Sequence, residues 1–483
     1  MGLVLKQSIS NLVTTYIGFA IGAINVLFLY PHFLKPEYYG LITFLLSAST
    51  LVWPIMGFGA PNTMIKFYSA LQSQIQKNRL LTVMLVIPLV VSMVIGTLGL
   101  LFYQSLLNYF ATNKAVQNYI VFIYIISIAI AYFEVFYAWA KITYKSVFGN
   151  FMKEVFHRVG VTILLLAVYY DYIGLEGFIY FLTGIYVVRM FILMIYAFKL
   201  LPPKIDFKFP EQISRILKYS VLILIAGSIS TALLDLDKVM IEHYLPIKLV
   251  SVYSIAVYIA SVIAVPARAM KQITSPITAT LLNQKKKVEL NDLYQKTSSA
   301  LLLVSGLIFI LIVVNVNKLY ELIPEEYQIE AGLIVLLCSI KLYENFLGNN
   351  NSILFNSDYY RLVLIIGVAI VLLAIILNIT FIPIWGIWGA AIATFSTFFT
   401  FFSIKLYLVY KKFGMHPFNK KTLPIVVLIA VTSLLLYQLH INLHPFLAIA
   451  IKSVIACLVY SFIVYQFNFS EDLNLILKKY RKK

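Results

Sequence analysis

Between residues 9 and 466 the chain alternates between apolar runs of about 20 residues and short polar stretches, with no sustained two-residue period. Runs of that length are too long for strands and match the thickness of a bilayer core when wound as helices. The pattern predicts spans at about 9–30, 40–62, 80–103, 116–138, 159–173, 177–198, 217–237, 249–270, 298–317, 330–347, 362–381, 386–408, 423–439 and 446–466. The fifth is short, and the second and eighth continue as helix past the bilayer. Roughly 200 residues remain for thirteen connections and two tails, which leaves no room for a soluble catalytic domain. The expected fold class is an all-α polytopic membrane protein with 14 transmembrane helices.

Composition supports this reading. Of 483 residues, 61% are hydrophobic and 12% charged, against about 45–50% and 25% in soluble domains. The net charge of +18 is spread over short loops, so it marks membrane orientation and not a nucleic-acid-binding face. With the N-terminus inside, the inner segments hold about 27 Lys and Arg, among them Lys77, Arg79, Lys285, Lys286, Lys287, Lys411 and Lys412. The outer segments hold about 5, namely Lys35, Lys114, Lys238, Lys248 and Lys318. Both termini are therefore expected on the cytoplasmic side of a multi-pass protein. Cys338 and Cys457 fall within apolar runs, and the six histidines show no ligand spacing, so neither a disulfide, a metal nor a cofactor is predicted. The first run ends in Tyr30-Pro-His and lacks a cleavage signal, which reads as a retained helix.

The last stretch, 467–483, reads as a basic cytoplasmic tail. Ser470 is placed as an N-cap, and Leu473, Ile476, Leu477 and Tyr480 share one face of an amphipathic helix. Asn349-Asn-Asn-Ser352 reads as an inside loop. Asn378-Ile-Thr380 matches a glycosylation pattern by accident of composition.

The two halves match at an offset of 212 residues. Lys6 and Ser8 map to Lys218 and Ser220, Pro54 to Pro266, Gly174 and Gly177 to Gly386 and Gly389, and Lys199 to Lys411. These identities fall at the ends and breaks of spans in the same order, as internal repetition requires. They define a first six-helix lobe over 1–215, a second over 216–421, and two extra helices over 422–466. Each repeat has an even number of spans, so the two are parallel and flank a central cleft. Pro54 and Pro266 are the candidate hinges.

Three segments carry a family resemblance. Phe33-Leu-Lys-Pro-Glu-Tyr-Tyr-Gly40, followed by Pro54 and Gly57-Phe-Gly-Ala-Pro61, resembles the opening of Wzx-type polysaccharide flippases. Leu217-Lys-Tyr-Ser220, with Leu236-Asp-Lys-Val-Met240 and Tyr253-Ser-Ile-Ala-Val257, is similar to the start of their second half. Ile382-Pro-Ile-Trp-Gly386-Ile-Trp-Gly389-Ala-Ala-Ile-Ala-Thr394 resembles their turn between helices eleven and twelve. The superfamily also contains MATE drug exporters and lipid II flippases. The resemblance implies transport of an undecaprenyl-diphosphate-linked oligosaccharide (of the O-antigen or capsule kind) across a bacterial plasma membrane. Its expected partners are that lipid-linked substrate, membrane lipids and a coupling cation or proton, with a monomer as the simplest state and no covalent chemistry.

Such a lipid cannot cross unaided, because its sugars and diphosphate would lose their water in hydrocarbon. A transporter must offer cationic groups in a polar cleft, and a charge within a span is a functional candidate by default. Arg189 lies about 18 Å into the sixth span. Arg268 and Lys271 share a face of the eighth, after Pro266, and Lys66 follows Pro61 on the second. Snorkelling to the inner headgroups is the alternative for Lys66, Arg268 and Lys271. Glu134, Asp235 and Asp237 are the ion-coupling or charge-pair candidates. Glu134 offers Arg189 a purely structural partner, and Asp235 is the better placed of the two aspartates for an ion.

Two other readings compete. A polymerase or ligase would need a large outer loop, yet the longest outer segments, Tyr103–Gln117 and Asn317–Glu330, have ordinary lengths for connections. No Walker A pattern is present. A drug exporter of the superfamily usually stops at 12 spans and favours acidic sites, whereas 14 spans and the basic lean of the charges favour an anionic lipid head. Lipid II also carries a diphosphate, and against it stands the resemblance of the N-terminal motifs to the polysaccharide family.

Overall fold

The computed structural model describes residues 2–110 and 113–469, and the predicted tail helix from Ser470 lies outside the described residues. The described chain is helical throughout, with no strand among the described residues. Its membrane-length helices are α1 (2–33), α2 (Pro36–Ala70), α3 (Gln74–Leu101), α4 (Lys114–Ile142), α5 (147–169), α6 (Leu175–Leu200) and α7 (Ile213–Tyr244). They continue as α8 (Lys248–Asn283), α9 (Lys287–Tyr320), α10 (Ala331–Phe346), α11 (360–385), α12 (387–413), α13 (Thr422–Tyr437) and α14 (Pro445–Gln466). Ten described helical segments are long and apolar enough to cross a membrane. One of them, Tyr360–Phe413, has 54 residues, or about 81 Å of helix against a core of about 30 Å. Gly386, at φ 58° and ψ −134°, divides it into α11 and α12. With α5 and the shorter α10 and α13, the described helices are consistent with the fourteen predicted spans.

Helix ends follow local chemistry. Pro36 and Pro445 open α2 and α14 directly after the extended residues Lys35 and His444. Glu176 occupies the first turn of α6 and Lys199 the last, each complementing the helix dipole. Gly174 caps α6 and Gly386 precedes α12, so both glycines stand at the entry to a helix.

The breaks within helices refine the expected hinges. In α2, Pro54 sits inside the regular Pro36–Gly57 segment, and the backbone leaves α geometry at Phe58 (φ 46°) and Gly59 (φ 66°). The proline beside that break is Pro61, which lacks the N–H that Gly57 would accept in a continuous helix. In α8 the helix tightens to a 3-10 turn at Val262–Ala264, immediately before Pro266. Two π turns, Asn25–Leu29 in α1 and Met152–Phe156 in α5, are further local departures that sequence periodicity does not show.

By compactness the chain divides into two units. One comprises Met1–Ser254 with Asn378–Ile387, the other Ile255–Leu377 with Trp388–Lys483. The first includes α7, which packs along α2. Apolar burial drives little association between helices in lipid, so close approach and polar contacts decide the packing. Gly40 and Gly59 supply the approach: a Cβ on Gly40 would fall on the Ile247 carbonyl, and one on Gly59 on the Ser220 carbonyl. The interior of this unit gathers Met64, Phe67, Met84, Phe133, Trp139 and Leu193, and the Trp139 indole donates to the Leu201 carbonyl at 3.0 Å.

The second unit packs α9 against α10, α13 and α14. A polar seam runs along α8, α9 and the end of α10, where the sequence pattern suggested only an inside loop. Asn345, Asn349, Asn350 and Ser352 are all buried, and Asn350 begins a short helix, Asn350–Phe355. The Asn345 amide donates to Ser305 Oγ at 2.6 Å and to the Ile263 carbonyl in the 3-10 turn of α8. Asn349 donates to Thr278, and Asn350 to Tyr294 Oη at 2.9 Å. An asparagine run favours loops by local propensity; here hydrogen bonding to two neighbouring helices prevails.

Candidate functional site

Charges within spans are costly to hold, so their partners indicate what each one does. In the first unit, α4, α5 and α6 bring together Glu134, Lys153, Glu154, Arg158 and Arg189. Lys153 Nζ donates to Glu134 Oε1 at 2.6 Å, and Arg158 pairs with Glu154 at 3.2 Å. The expected structural partner of Glu134 is therefore Lys153 and not Arg189. The π turn that carries Lys153 and Glu154 sets this register. Arg189 is 5% exposed and lies between aromatic faces, its guanidinium 4.3 Å from the Phe133 centroid and 4.7 Å from that of Tyr186. His157 packs near the same Tyr186 ring at 6.1 Å.

A second cluster joins α2 to α7. Asp235 accepts from Lys238 Nζ at 2.7 Å, Thr50 Oγ1 at 2.7 Å and Ser47 Oγ at 3.1 Å. Its carboxylate thus already holds a cation, the ammonium one turn along its own helix. Asp237, on another face, accepts from Tyr253 Oη at 2.6 Å. Two turns beyond Asp235, the fully buried Glu242 accepts from the Asn113 side chain at 3.0 Å. Asn113 also accepts from the Ile247 N–H and so joins the two ends of the connection into α8. Lys66 is exposed and sits over the Tyr219 ring at 3.8 Å. It shares no partner with Arg189, so the two cations occupy separate settings.

In the second unit, Arg268 and Lys271 are both exposed on α8, one turn apart. Lys405 on α12 is 5% exposed; its ammonium donates to Asn351 Oδ1 at 2.9 Å and lies 3.6 Å from the Phe401 centroid. Lys452 on α14 is 6% exposed and donates to the Val314 carbonyl at 3.5 Å. Sequence reasoning passed over both, although each falls inside a predicted span and so met the rule that selected Arg189. Glu242 escaped notice because it lies at a helix end, and Lys153 and Lys238 because a partner is not visible in a linear pattern. Among the described residues no group of three or more His, Cys, Asp or Glu is placed to hold a metal.

No protein-family model and no curated protein sequence matches the chain. Solved structures do. A lipid II flippase, MurJ, in an inward closed conformation is similar over 95% of this chain and 99% of its own, with a TM-score of 0.70 at 14% identity. An inward-facing multidrug resistance MATE family transporter of the MOP superfamily matches over 84% and 98%, with a TM-score of 0.65 at 14% identity. The MATE multidrug transporter DinF-BH, solved as a complex, matches over 85% and 95% with a TM-score of 0.57 at 14% identity. The chain is a multi-pass membrane protein with the fold shared by this lipid II flippase and these MATE transporters.

Proposed function

We propose that the protein is a flippase, moving an undecaprenyl-diphosphate-linked oligosaccharide from the inner to the outer leaflet of a bacterial plasma membrane for surface polysaccharide synthesis. The observation that carries this reading is the character of the exposed charges within the spans. Lys66, Arg268 and Lys271 are all basic and all exposed, whereas Glu134 and Asp235 are each held by a lysine. A cation exporter needs accessible carboxylates in the spans; here Glu134 and Asp235 are taken by lysines, and Asp237 and Glu242 are buried against Tyr253 and Asn113. A diphosphate head needs exposed ammonium and guanidinium groups, and Arg268 adds a planar fork suited to two phosphate oxygens. The parallel repeats supply two bundles for alternating access, and the polyprenyl tail remains in lipid while the head crosses. Both termini lie inside on the Lys and Arg distribution.

A strain lacking the protein should accumulate complete lipid-linked repeat units on the cytoplasmic leaflet. Units already exposed on the outer leaflet would indicate a polymerase defect, and unaltered surface polysaccharide with raised drug sensitivity would indicate an exporter. Accumulated lipid II in place of oligosaccharide lipid would move the reading to peptidoglycan.

A further inference from the structure

The first unit contains a buried guanidinium that no carboxylate contacts directly. Arg189 is 5% exposed and makes no hydrogen bond or ion pair with any described residue; its Nε is sealed from solvent without a partner. The charged groups packed around it are Lys153, Glu154 and Arg158 from α5 and Glu134 from α4, with His157 and Tyr186 as the other titratable neighbours. Both carboxylates are engaged, Glu134 by Lys153 at 2.6 Å and Glu154 by Arg158 at 3.2 Å. Lys141 also faces Glu134, so four cations meet two anions, and Arg189 is left with no carboxylate in contact. His157 Nδ1 is also buried without a partner, against the same Tyr186 ring.

A buried charge without a counter-charge is strongly unfavourable, whereas a guanidinium flanked by aromatic faces keeps its planar edge free for an incoming group. Five donors in a fork match the spacing of two oxygens on one phosphorus. We propose that Arg189, with His157 beside it, forms an anion-binding site inside the first unit that takes a phosphate-type oxyanion. It is distinct from Lys66, which lies over the Tyr219 ring. The oxyanion has two possible sources, free inorganic phosphate or a lipid-borne phosphate monoester. The proposal stands apart from the flippase reading, because its test measures binding and not transport.

The experiment uses the purified full chain in detergent and sodium gluconate, titrated with sodium phosphate or with dodecyl phosphate while Tm is followed. Stabilisation by inorganic phosphate that survives in Lys66→Gln and weakens roughly tenfold in Arg189→Gln supports the site with a free anion as ligand. Stabilisation by dodecyl phosphate alone, equally dependent on Arg189, supports it with lipid as the source. No response to either ligand, or an unchanged response in Arg189→Gln, overturns the proposal. Arg189→Lys keeps the charge and loses the fork, which covers a glutamine variant that folds poorly. A weakened response there supports the site, and a wild-type response counts against it.

Discussion

Replacing Lys238 by Met removes the ammonium that Asp235 holds, and the structure sets the size of the effect. The two groups are 2.7 Å apart, with side chains 15% and 17% exposed. At an effective dielectric of about 20 their gross attraction is roughly 6 kcal/mol, most of it offset by the cost of removing both from water. Thr50 and Ser47 remain as donors to the carboxylate and soften the loss, so Lys238→Met should cost about 2–3 kcal/mol. Asp235→Asn leaves the ammonium only the neighbouring Asp237 carboxylate and should cost less, about 1–2 kcal/mol. The double variant removes both members of the pair while Asp237 keeps its Tyr253 donor, and it should return to within about 1 kcal/mol of wild type. The assay is Tm in detergent for all four proteins, combined as a double-mutant cycle. Each single variant should melt several degrees low and the double variant close to wild type. A double variant that loses the sum of the two single losses would refute the argument, since independent sites add. Transport by the same double variant then defines the role of Asp235: a stable, active protein has a structural pair there, whereas a stable, inactive one uses the carboxylate for a coupling ion.

Three further outcomes follow from particular contacts. Gly59→Ala places a Cβ against the Ser220 carbonyl at a residue with φ 66°, so it should lower Tm by far more than Gly99→Ala, whose added Cβ meets nothing within 4 Å. Asn345→Leu leaves the Ile263 carbonyl without its amide donor and should cost about 1–3 kcal/mol, read as lost thermal stability and faster amide exchange around Val262–Ala264. In the loop after α6, Asp206 accepts from Arg79 at 2.9 Å and from the Lys208 N–H at 3.0 Å, and these bonds hold its carboxyl below the usual range. A lowered carboxyl contributes stability above its unfolded value and loses it as pH falls through the folded one. Protease sensitivity of the 201–212 segment should thus stay flat down to about pH 4 and rise only below it; a rise between pH 7 and 5 would contradict the assignment.

The spans were legible because lipid leaves the chain little choice: every backbone polar group must be bonded within its own helix, so apolar runs of one length recur. Gly174 and Gly386 were legible as punctuation for the same reason, each standing where a helix starts anew. Side-chain pairing was far less accessible. Glu134 and Lys153 sit on neighbouring helices across a turn, and Ser47 meets Asp235 from 188 positions away; depth alone had paired Glu134 with Arg189. The π turn at Met152–Phe156 carries Lys153, the cation that pairs with Glu134, and no periodicity in the sequence announces it. The asparagines at 349–351 were misread because their local preference for loops is real, and polar atoms of α8 and α9 override it.

The central claim is that exposed cations on the spans carry an anionic lipid head across the membrane. It is tested most directly in vesicles containing the purified protein and a fluorescent polyprenyl-diphosphate oligosaccharide, with a membrane-impermeant quencher outside. Wild-type protein should bring inner-leaflet label to the quencher and leave the lipid chemically unchanged. Arg268→Lys should slow that movement, and a fully inserted Lys66→Gln, Arg268→Gln double variant should leave the inner label protected. Transport by the double variant at the wild-type rate would contradict the account and reduce these residues to membrane anchors.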